Sequence, residues 1–279
     1  MNIPIKVKER IQLGFKKFQS VIKNAKDNDV NESNTVVIIT DMLSDIFGYD
    51  KYLEVTTELA TKSGNYCDLA IKIDNKIKLI IEVKSIGTEL KDNHIKQAVD
   101  YGVNLGVDWV VLTNGNHWLV YKVIFAKPVD KELVYDFKFL EMNLKQQSDI
   151  ESLFYLSKEG LGKSTLEEFH AQRQALSRYF ISQMILSNGI LENLRRELRK
   201  ISPGIKIEIN DIKNVITEEI FKREVTENEK AEEAKKLILK VYKDIDRQKA
   251  KEQKKKGIER SDSNNSSLEN NSNEINNFE

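Results

Sequence analysis

The chain has few of the residues that build disulfide scaffolds or thiolate metal sites. Its 279 residues include one cysteine, Cys67, and three prolines. A single thiol excludes an intramolecular disulfide and a zinc site made of several cysteines. The three histidines, His94, His117 and His170, are far apart and lack metal-ligand spacing. The sequence therefore gives no indication of a zinc centre.

Long apolar runs and an excess of one charge are also missing. No segment approaches the about 20 apolar residues needed to cross a bilayer, and residues 1–6 do not resemble a secretion signal. We therefore expect a cytoplasmic protein with no membrane contact. The 44 basic and 44 acidic residues balance, so any DNA-binding surface must be local. The apolar content of 40% is typical of a globular protein.

Two neighbouring strands are predicted near the middle of the chain. Residues 67–73 largely alternate polar and apolar side chains, as a half-buried strand does. Residues 77–84 are more apolar and therefore predict a more central strand. The polar residues 74–76 between them predict a turn.

The register of this strand pair brings acidic side chains together. If the turn is centred on Asn75, the numbers of paired residues sum to about 150, so Asp68 lies opposite Glu82 with their Cβ atoms about 5 Å apart. Two facing carboxylates repel each other unless a cation lies between them. Lys84 projects on the same face as Glu82. This combination predicts a metal-dependent hydrolysis site.

Further helices and strands surround this pair in the predicted order. Asn114-Gly115 is typical of a type I′ hairpin turn. The strand predicted just before this turn follows a strand–helix–strand connection, so we expect it to run parallel to the strand that carries Glu82. The remaining predicted elements are a helix over 7–25, a helix ending near Phe47, a strand over 53–59, a loop over 62–65, a helix over 89–105, and strands over 109–113 and 117–123.

These residues resemble the PD-(D/E)xK nuclease superfamily. The resemblance rests on Asp68, on Glu82-x-Lys84 and on Gln97-x-x-x-Tyr101. It is greatest to the N-terminal nuclease domain of type I restriction enzyme R subunits and their stand-alone relatives. The segment 112–115, followed by Trp118 and Tyr121, is similar to the closing hairpin of that family, and the likeness covers residues 5–125. Cys67 stands where many members have proline.

The resemblance implies an α/β fold, a mixed sheet flanked by helices. It implies Mg²⁺ as cofactor, with Mn²⁺ as an alternative, because hard cations prefer oxygen ligands. The resemblance implies that the main-chain carbonyl of Val83 is a ligand. In similar proteins a glutamate on the helix before the sheet often faces the metal, and Glu32 occupies a similar place. Glu32 has an alternative role, the stabilisation of its helix N-terminus. The expected ligands are Asp68, Glu82, Val83 and Glu32, and the expected catalytic residues are Asp68, Glu82, Lys84 and Gln97.

Several other side chains are candidates for contacts with DNA. Tyr101 either contacts a phosphate or packs, and His94 lies one helical turn before Gln97. A basic cluster that includes Arg195, Arg196 and Arg199 lies on a later helix. Most such clusters are solvated faces, but this cluster is also a candidate phosphate-binding surface.

A second motif gives a weak indication of nucleotide binding. Residues 157–165 nearly match the phosphate-binding loop GxxxxGK[ST], but Ser157 replaces its first glycine. We therefore expect no ATP binding. Complete R subunits carry a helicase motor, and its lack here favours dependence on other restriction or defence subunits.

The composition divides the chain into three predicted segments. These are a nuclease domain over 1–140, a helical domain over 141–245 with a short strand at 205–209, and a disordered polar tail over 246–279. The favoured function is a Mg²⁺-dependent DNA endonuclease in restriction-modification or defence. The alternative is a non-catalytic module that keeps the fold and binds DNA or a partner subunit.

Overall fold

The computed structural model describes residues 2–60 and 66–272. The loop predicted at 62–65 and the last seven residues of the predicted tail lie outside this range. The described residues form two compact units, the first ending at His170 and the second beginning at Ala171.

The first unit is an α/β domain built on one six-stranded sheet. The strands follow each other in the sheet in chain order, and all neighbours are antiparallel except β3 and β4, which are parallel. The predicted mixed sheet is therefore confirmed, and β6 is an additional strand that the sequence pattern did not reveal. The elements are α1 (Ile5–Asp27), α2 (Glu32–Asp45), β1 (Val55–Ala60), β2 (Tyr66–Ile73), β3 (Lys76–Val83), α3 (Asp92–Leu105), β4 (Trp109–Thr113), β5 (His117–Ile124), β6 (Asp130–Lys138), α4 (Gln147–Tyr155) and α5 (Lys158–Gly162), with α6 (Thr165–Ala175) reaching into the second unit.

The register of β2 and β3 agrees with the prediction. Leu69 pairs with Ile81, and Ile71 pairs with Leu79, before a one-residue irregularity near the turn. The turn consists of Asp74 and Asn75, both with positive φ, of 51° and 60°. This is the conformation that a two-residue hairpin needs to match the strand twist. The same register, continued by one residue, brings Asp68 level with Glu82.

Two apolar cores cover the two faces of the sheet. The helices α1 and α2 contribute to one core, in which Ile11 and Ile22 are fully buried. The helix α3 contributes to the other, together with Ile80 of β3. Cys67 is fully buried in the α3 core, whereas Leu69, two residues further along β2, is buried in the other core. The strict alternation of β2 therefore breaks near this residue.

The hairpin between β4 and β5 is confirmed, but its predicted turn type is wrong. Only Gly115 has positive φ in this turn, whereas a type I′ turn needs two such residues. The side-chain Oδ1 of Asn114 instead accepts hydrogen bonds from the N–H groups of Asn116 and His117, at 3.1 and 2.7 Å. Asn114 thus closes a three-residue loop with its side chain.

The first unit continues past residue 140, where the sequence places a domain boundary. Phe154, Leu161 and Leu166 are buried in the same core as α1 and α2. Arg10 of α1 also forms a bidentate ion pair with Glu159 of α5, at 2.8 and 2.6 Å. These contacts join distant parts of the chain, so local composition could not place the boundary.

The near-match to a phosphate-binding loop has a different local structure. It lies between α4 and α6, and most of it forms the short helix α5. Ser157 caps that helix by accepting a hydrogen bond from the N–H of Gly160, at 3.1 Å. The segment therefore lacks the strand–loop–helix context that such a motif requires.

The second unit is helical. Leu191, Ile212 and Ile216 form a small buried core. No strand forms at the predicted position 205–209, because residues 205–208 are irregular and Ile209 begins a helix. The helices are α7 (Arg178–Ile185), α8 (Asn188–Ile201), α9 (Ile209–Val215), α10 (Arg223–Thr226) and α11 (Glu229–Ser272), with a π-helical turn at Ile216–Ile220.

The helix α11 continues to Ser272, through residues for which the sequence predicts disorder. The segment 243–260 is rich in Lys, Glu, Gln and Arg, which have high intrinsic helix propensity. Local propensity therefore accounts for a helix where there is little apolar surface to bury. Among the described helices, none is at once long enough and apolar enough to span a membrane.

Candidate active site

The candidate site lies at the carboxyl end of β3. Glu82 is near the end of this strand, and Lys84 is the first residue after the strand. The main-chain N–H of Lys84 donates to the carbonyl of Thr113, at 2.8 Å, so the neighbouring strand β4 fixes the position of Lys84. Asp68 belongs to β2 on the other side of β3.

Glu82 has a buried carboxylate of which only one oxygen is hydrogen-bonded within the described residues. The residue is 3% exposed. Its Oε1 accepts a hydrogen bond from Lys84 Nζ at 2.8 Å, whereas its buried Oε2 has no hydrogen-bond partner among the described residues. Burial, opposed by Lys84 and reinforced by the nearby charges of Asp68 and Glu32, raises the pKa of Glu82 from 4.5 to about 7.

Lys84 is held between carboxylates. Its Nζ lies 2.8 Å from Glu82 and 3.6 Å from a carboxylate oxygen of Glu32. Burial by itself would lower the pKa of Lys84, but the hydrogen bond to Glu82 and the charges of Glu82, Glu32 and Asp68 raise it overall. Lys84 is therefore a cation at neutral pH.

Asp68 is tied to the main chain of β3. Its Oδ2 accepts a hydrogen bond from the N–H of Val83, at 2.7 Å. Val83 lies between Glu82 and Lys84 in sequence, so one hydrogen bond fixes Asp68 relative to both. The carboxylate charge of Asp68 also contributes to the raised pKa of Glu82, which places the two acids close together as the register predicts.

Glu32 approaches the site from the start of α2. It is the first residue of this helix, and Asn31 caps the helix by accepting from the N–H of Asn34, at 3.0 Å. The Glu32 side chain is half exposed and lies 3.6 Å from Lys84 Nζ. Glu32 therefore stands at the N-terminus of its helix and beside Lys84, and its role as a metal ligand stays a prediction.

Gln97 and Tyr101 lie one turn apart on α3, as their spacing predicts. The Gln97 Nε2 donates to the Tyr101 hydroxyl oxygen at 2.7 Å. Tyr101 is buried, and its pKa is raised by burial and also by the charges of Glu82 and Asp68. Tyr101 packs in the same core as Ala70 of β2 and Ile80 of β3, each two residues along its strand from Asp68 and Glu82. Gln97 itself is exposed.

The other candidate DNA contacts have local structural partners. His94 Nδ1 accepts from the main-chain N–H of Lys91 at 3.3 Å, so its ring caps the start of α3. Arg195, Arg196 and Arg199 belong to α8 of the second unit. There Arg195 pairs with Glu192 at 2.6 Å, Arg196 donates to Asn193, and Arg199 donates to the carbonyl of Ile207 at 3.1 Å.

The donor groups of the site fit a hard divalent cation. Within the described part of the chain, no three His, Cys, Asp or Glu side chains form a ready-made metal cluster. Mg²⁺ needs fewer protein ligands, because one or two carboxylates suffice when waters and phosphate oxygens complete the shell. The unpaired, buried Oε2 of Glu82 is a group that a cation would satisfy.

One structural residue of the site escaped the sequence analysis. The Nδ2 of Asn114 donates to the carbonyls of Ile86 and Thr88, at 3.2 and 2.9 Å. It therefore ties the segment after Lys84 to the β4–β5 loop. The sequence indicates a turn role for Asn114, but nothing in it shows that the side-chain amide reaches residues 28 and 26 positions away.

The fold and the side chains at the end of β3 thus define an α/β domain with an acidic site and an adjacent lysine. Residues 37–141 match the family described as the type I restriction enzyme R protein N terminus. This region therefore resembles the N terminus of type I restriction enzyme R proteins. No curated protein and no solved structure matches the chain. The matched region contains Asp68, Glu82, Lys84, Gln97 and Tyr101, and Glu32 lies just before it.

Proposed function

We propose that the first unit is a Mg²⁺-dependent DNA endonuclease that hydrolyses phosphodiester bonds. The observation that carries this proposal is the environment of Glu82. A carboxylate that is 3% exposed, with one oxygen that no described residue hydrogen-bonds and a pKa of about 7, is costly for the fold to maintain. Groups of this kind concentrate at functional sites. This one lies beside Lys84, inside a region that matches a restriction-enzyme family.

The ligands of the cation would be Asp68, Glu82 and the main-chain carbonyl of Val83, with Glu32 as a further carboxylate at the edge. When bound, Mg²⁺ would lower the pKa of a water molecule and stabilise negative charge on the phosphate. Asp68 is already oriented by its hydrogen bond to the Val83 N–H.

The role of Lys84 follows from its charge and its restraint. It is cationic, mostly buried and fixed by its main-chain bond to Thr113. A fixed cation close to the reacting phosphate stabilises the charge that develops there without reorganising in the transition state. Gln97 lies on α3 beside the site and would orient Lys84 or a water molecule.

The proposal is tested by incubating the full chain with supercoiled and linear DNA in Mg²⁺, in Mn²⁺ and in EDTA. We expect metal-dependent nicking or cleavage that falls by at least about 100-fold in Asp68→Ala and in Lys84→Ala. Lys145→Ala replaces an exposed lysine and serves as the matched control. Equal activity in all variants would assign the cleavage to another site or to a contaminant.

A second outcome distinguishes the non-catalytic alternative. If no variant cleaves DNA but the wild type binds it, the chain acts as a binding module or requires another subunit of a restriction or defence system. Adding extract from the source cells to the wild type and to Asp68→Ala then separates these cases. Cleavage restored only with the wild type would show that this chain supplies the active site.

A further inference from the structure

A cleft of about 530 Å³ runs along α3 next to the candidate active site. Gln97 and Tyr101 line one part of it, so the cleft shares two residues with the site. Its remaining wall is formed mainly by four polar residues of α3 and by Val129, from the connection between β5 and β6. The four polar residues are Asn93, Lys96, Asp100 and Asn104. We call this feature the α3 cleft.

The polar wall of the α3 cleft is a single helical face. Residues 93, 96, 100 and 104 are spaced by three or four positions, which places their side chains one above another. All four residues are exposed. Within the described residues, their side chains make no hydrogen bond or ion pair to the rest of the protein. Their donors and acceptors are thus available to a ligand.

The charge of this wall indicates what kind of ligand fits it. It contains one lysine and one aspartate, so it carries no net positive charge. A groove that follows a phosphate backbone needs an excess of Lys and Arg. Asn104 and Asn93 offer both donors and acceptors, while Asp100 only accepts. This mixture matches the edge of a nucleobase rather than a row of phosphates.

Val129 also lines the cleft, from the connection between β5 and β6. Its side chain is exposed and supplies a small apolar surface. The strand that follows it is tied to the start of α3, because Lys131 of β6 lies 3.4 Å from Asp92. The cavity falls within the range of about 300–1,000 Å³ that is usual for small-molecule sites. It is large enough for one nucleotide.

We propose that the α3 cleft holds one unpaired nucleobase of the DNA strand, next to the phosphate that is cleaved. Asp100 and Asn104 hydrogen-bond to the edge of the base, Lys96 contacts the flanking phosphate, and Val129 packs against the base. Gln97 connects this subsite to the carboxylates. The inference rests on the proposed nuclease function, and it predicts a preference for DNA with an unpaired or extruded base.

Binding is measured with the full chain in EDTA, so that cleavage does not interfere. The probes are a perfect DNA duplex and the same duplex with one bulged 2-aminopurine, followed by fluorescence anisotropy and by 2-aminopurine emission. We expect the wild type to bind the bulged duplex at least about tenfold more tightly. The double variant Asp100→Ala/Asn104→Ala should lose this preference and still bind the perfect duplex. Asn24→Ala, on the exposed face of α1, is the control.

Two results would overturn the proposal: equal wild-type affinity for both duplexes, or a preference that persists in the double variant. Because both substituted residues are exposed, circular dichroism should show an unchanged fold. The outcome is independent of the cleavage assay. A preference that depends on the cleft, without any metal-dependent cleavage, supports the base site and shows that the chain is a binding module or needs another subunit to cleave. Metal-dependent cleavage without this preference supports the nuclease and overturns the base site.

Discussion

The carboxylate Oδ2 of Asp68 accepts a hydrogen bond of 2.7 Å from the main-chain N–H of Val83. This bond links the single acidic residue of β2 to Val83, the residue that separates Glu82 from Lys84. The side chain of Asp68 thereby takes a position that a main-chain acceptor would occupy in a regular ladder. The same carboxylate therefore has a structural and a functional assignment, and substitutions can separate the two.

Replacing Asp68 by asparagine should abolish cleavage while preserving the fold. An amide oxygen can still accept from the Val83 N–H, but it carries no charge for a cation. Asp68→Ala removes the acceptor too and leaves a buried N–H unsatisfied, at a cost of about 1–3 kcal/mol. In urea unfolding, the free energy of unfolding of Asp68→Asn should therefore be close to that of the wild type, and that of Asp68→Ala should be lower. Neither variant should cleave DNA. Full cleavage by Asp68→Asn would contradict the metal-ligand assignment.

The stability contributed by Glu82 should depend on pH in a defined direction. Its pKa is about 7 in the folded protein and 4.5 when unperturbed. Below pH 4.5 the carboxyl is protonated in both states and imposes no penalty. As the pH rises to 7, the unfolded chain loses the proton first, so the folded state becomes relatively less stable, by up to about 3 kcal/mol.

The variant Glu82→Gln lacks this ionisation and provides the measurement. In EDTA, we expect it to match the wild type near pH 4.5 and to be more stable than the wild type at pH 8. Denaturant unfolding at both values gives the difference. The control is Glu141→Gln, which alters an exposed carboxylate in a surface pair with Lys138. A stability difference that is the same at both pH values would show that burial does not raise the pKa of Glu82.

Asn114→Ala should destabilise the first unit although the residue touches no proposed ligand. Its side chain makes four hydrogen bonds to main-chain groups and is 8% exposed. We expect a loss of about 2–4 kcal/mol in the free energy of unfolding. Asn114→Asp keeps the acceptor for Asn116 and His117 but turns a carboxylate oxygen towards the carbonyls of Ile86 and Thr88, so it should also destabilise the unit. Asn24→Ala, which is exposed, should stay near the wild type.

Truncation should locate the end of the first unit. A chain ending at residue 170 keeps the ion pair between Arg10 and Glu159 and the buried residues Phe154 and Leu166. A chain ending at residue 140 loses them and exposes the core beneath. We expect cooperative thermal unfolding and protease resistance for residues 1–170 and neither for residues 1–140. Equal behaviour of the two fragments would place the boundary where composition alone suggests it.

Local patterns were sufficient for most of the first unit. The strands β2 and β3, their register, the parallel partner β4 and the helix α3 follow from alternation, helical spacing and turn residues, because each depends on neighbours within a few positions. The order Asp68, Glu82, Lys84, Gln97 and Tyr101 carried the family resemblance for the same reason. The sequence does not predict β6, because the segment after β5 is mixed in composition. This segment is a strand because it pairs with β5.

The sequence by itself determined which residues stand on adjacent strands and on the helix beside them, since periodicity fixes the face that each side chain takes. Only the tertiary structure decided that the oxygen Oε2 of Glu82 is buried and has no hydrogen-bond partner in the described part of the chain, that Glu32 reaches Lys84, and that α5 and α6 complete the core. These features depend on contacts between residues far apart in the chain. Burial and electrostatic environment are properties of that packing, and no local pattern encodes them.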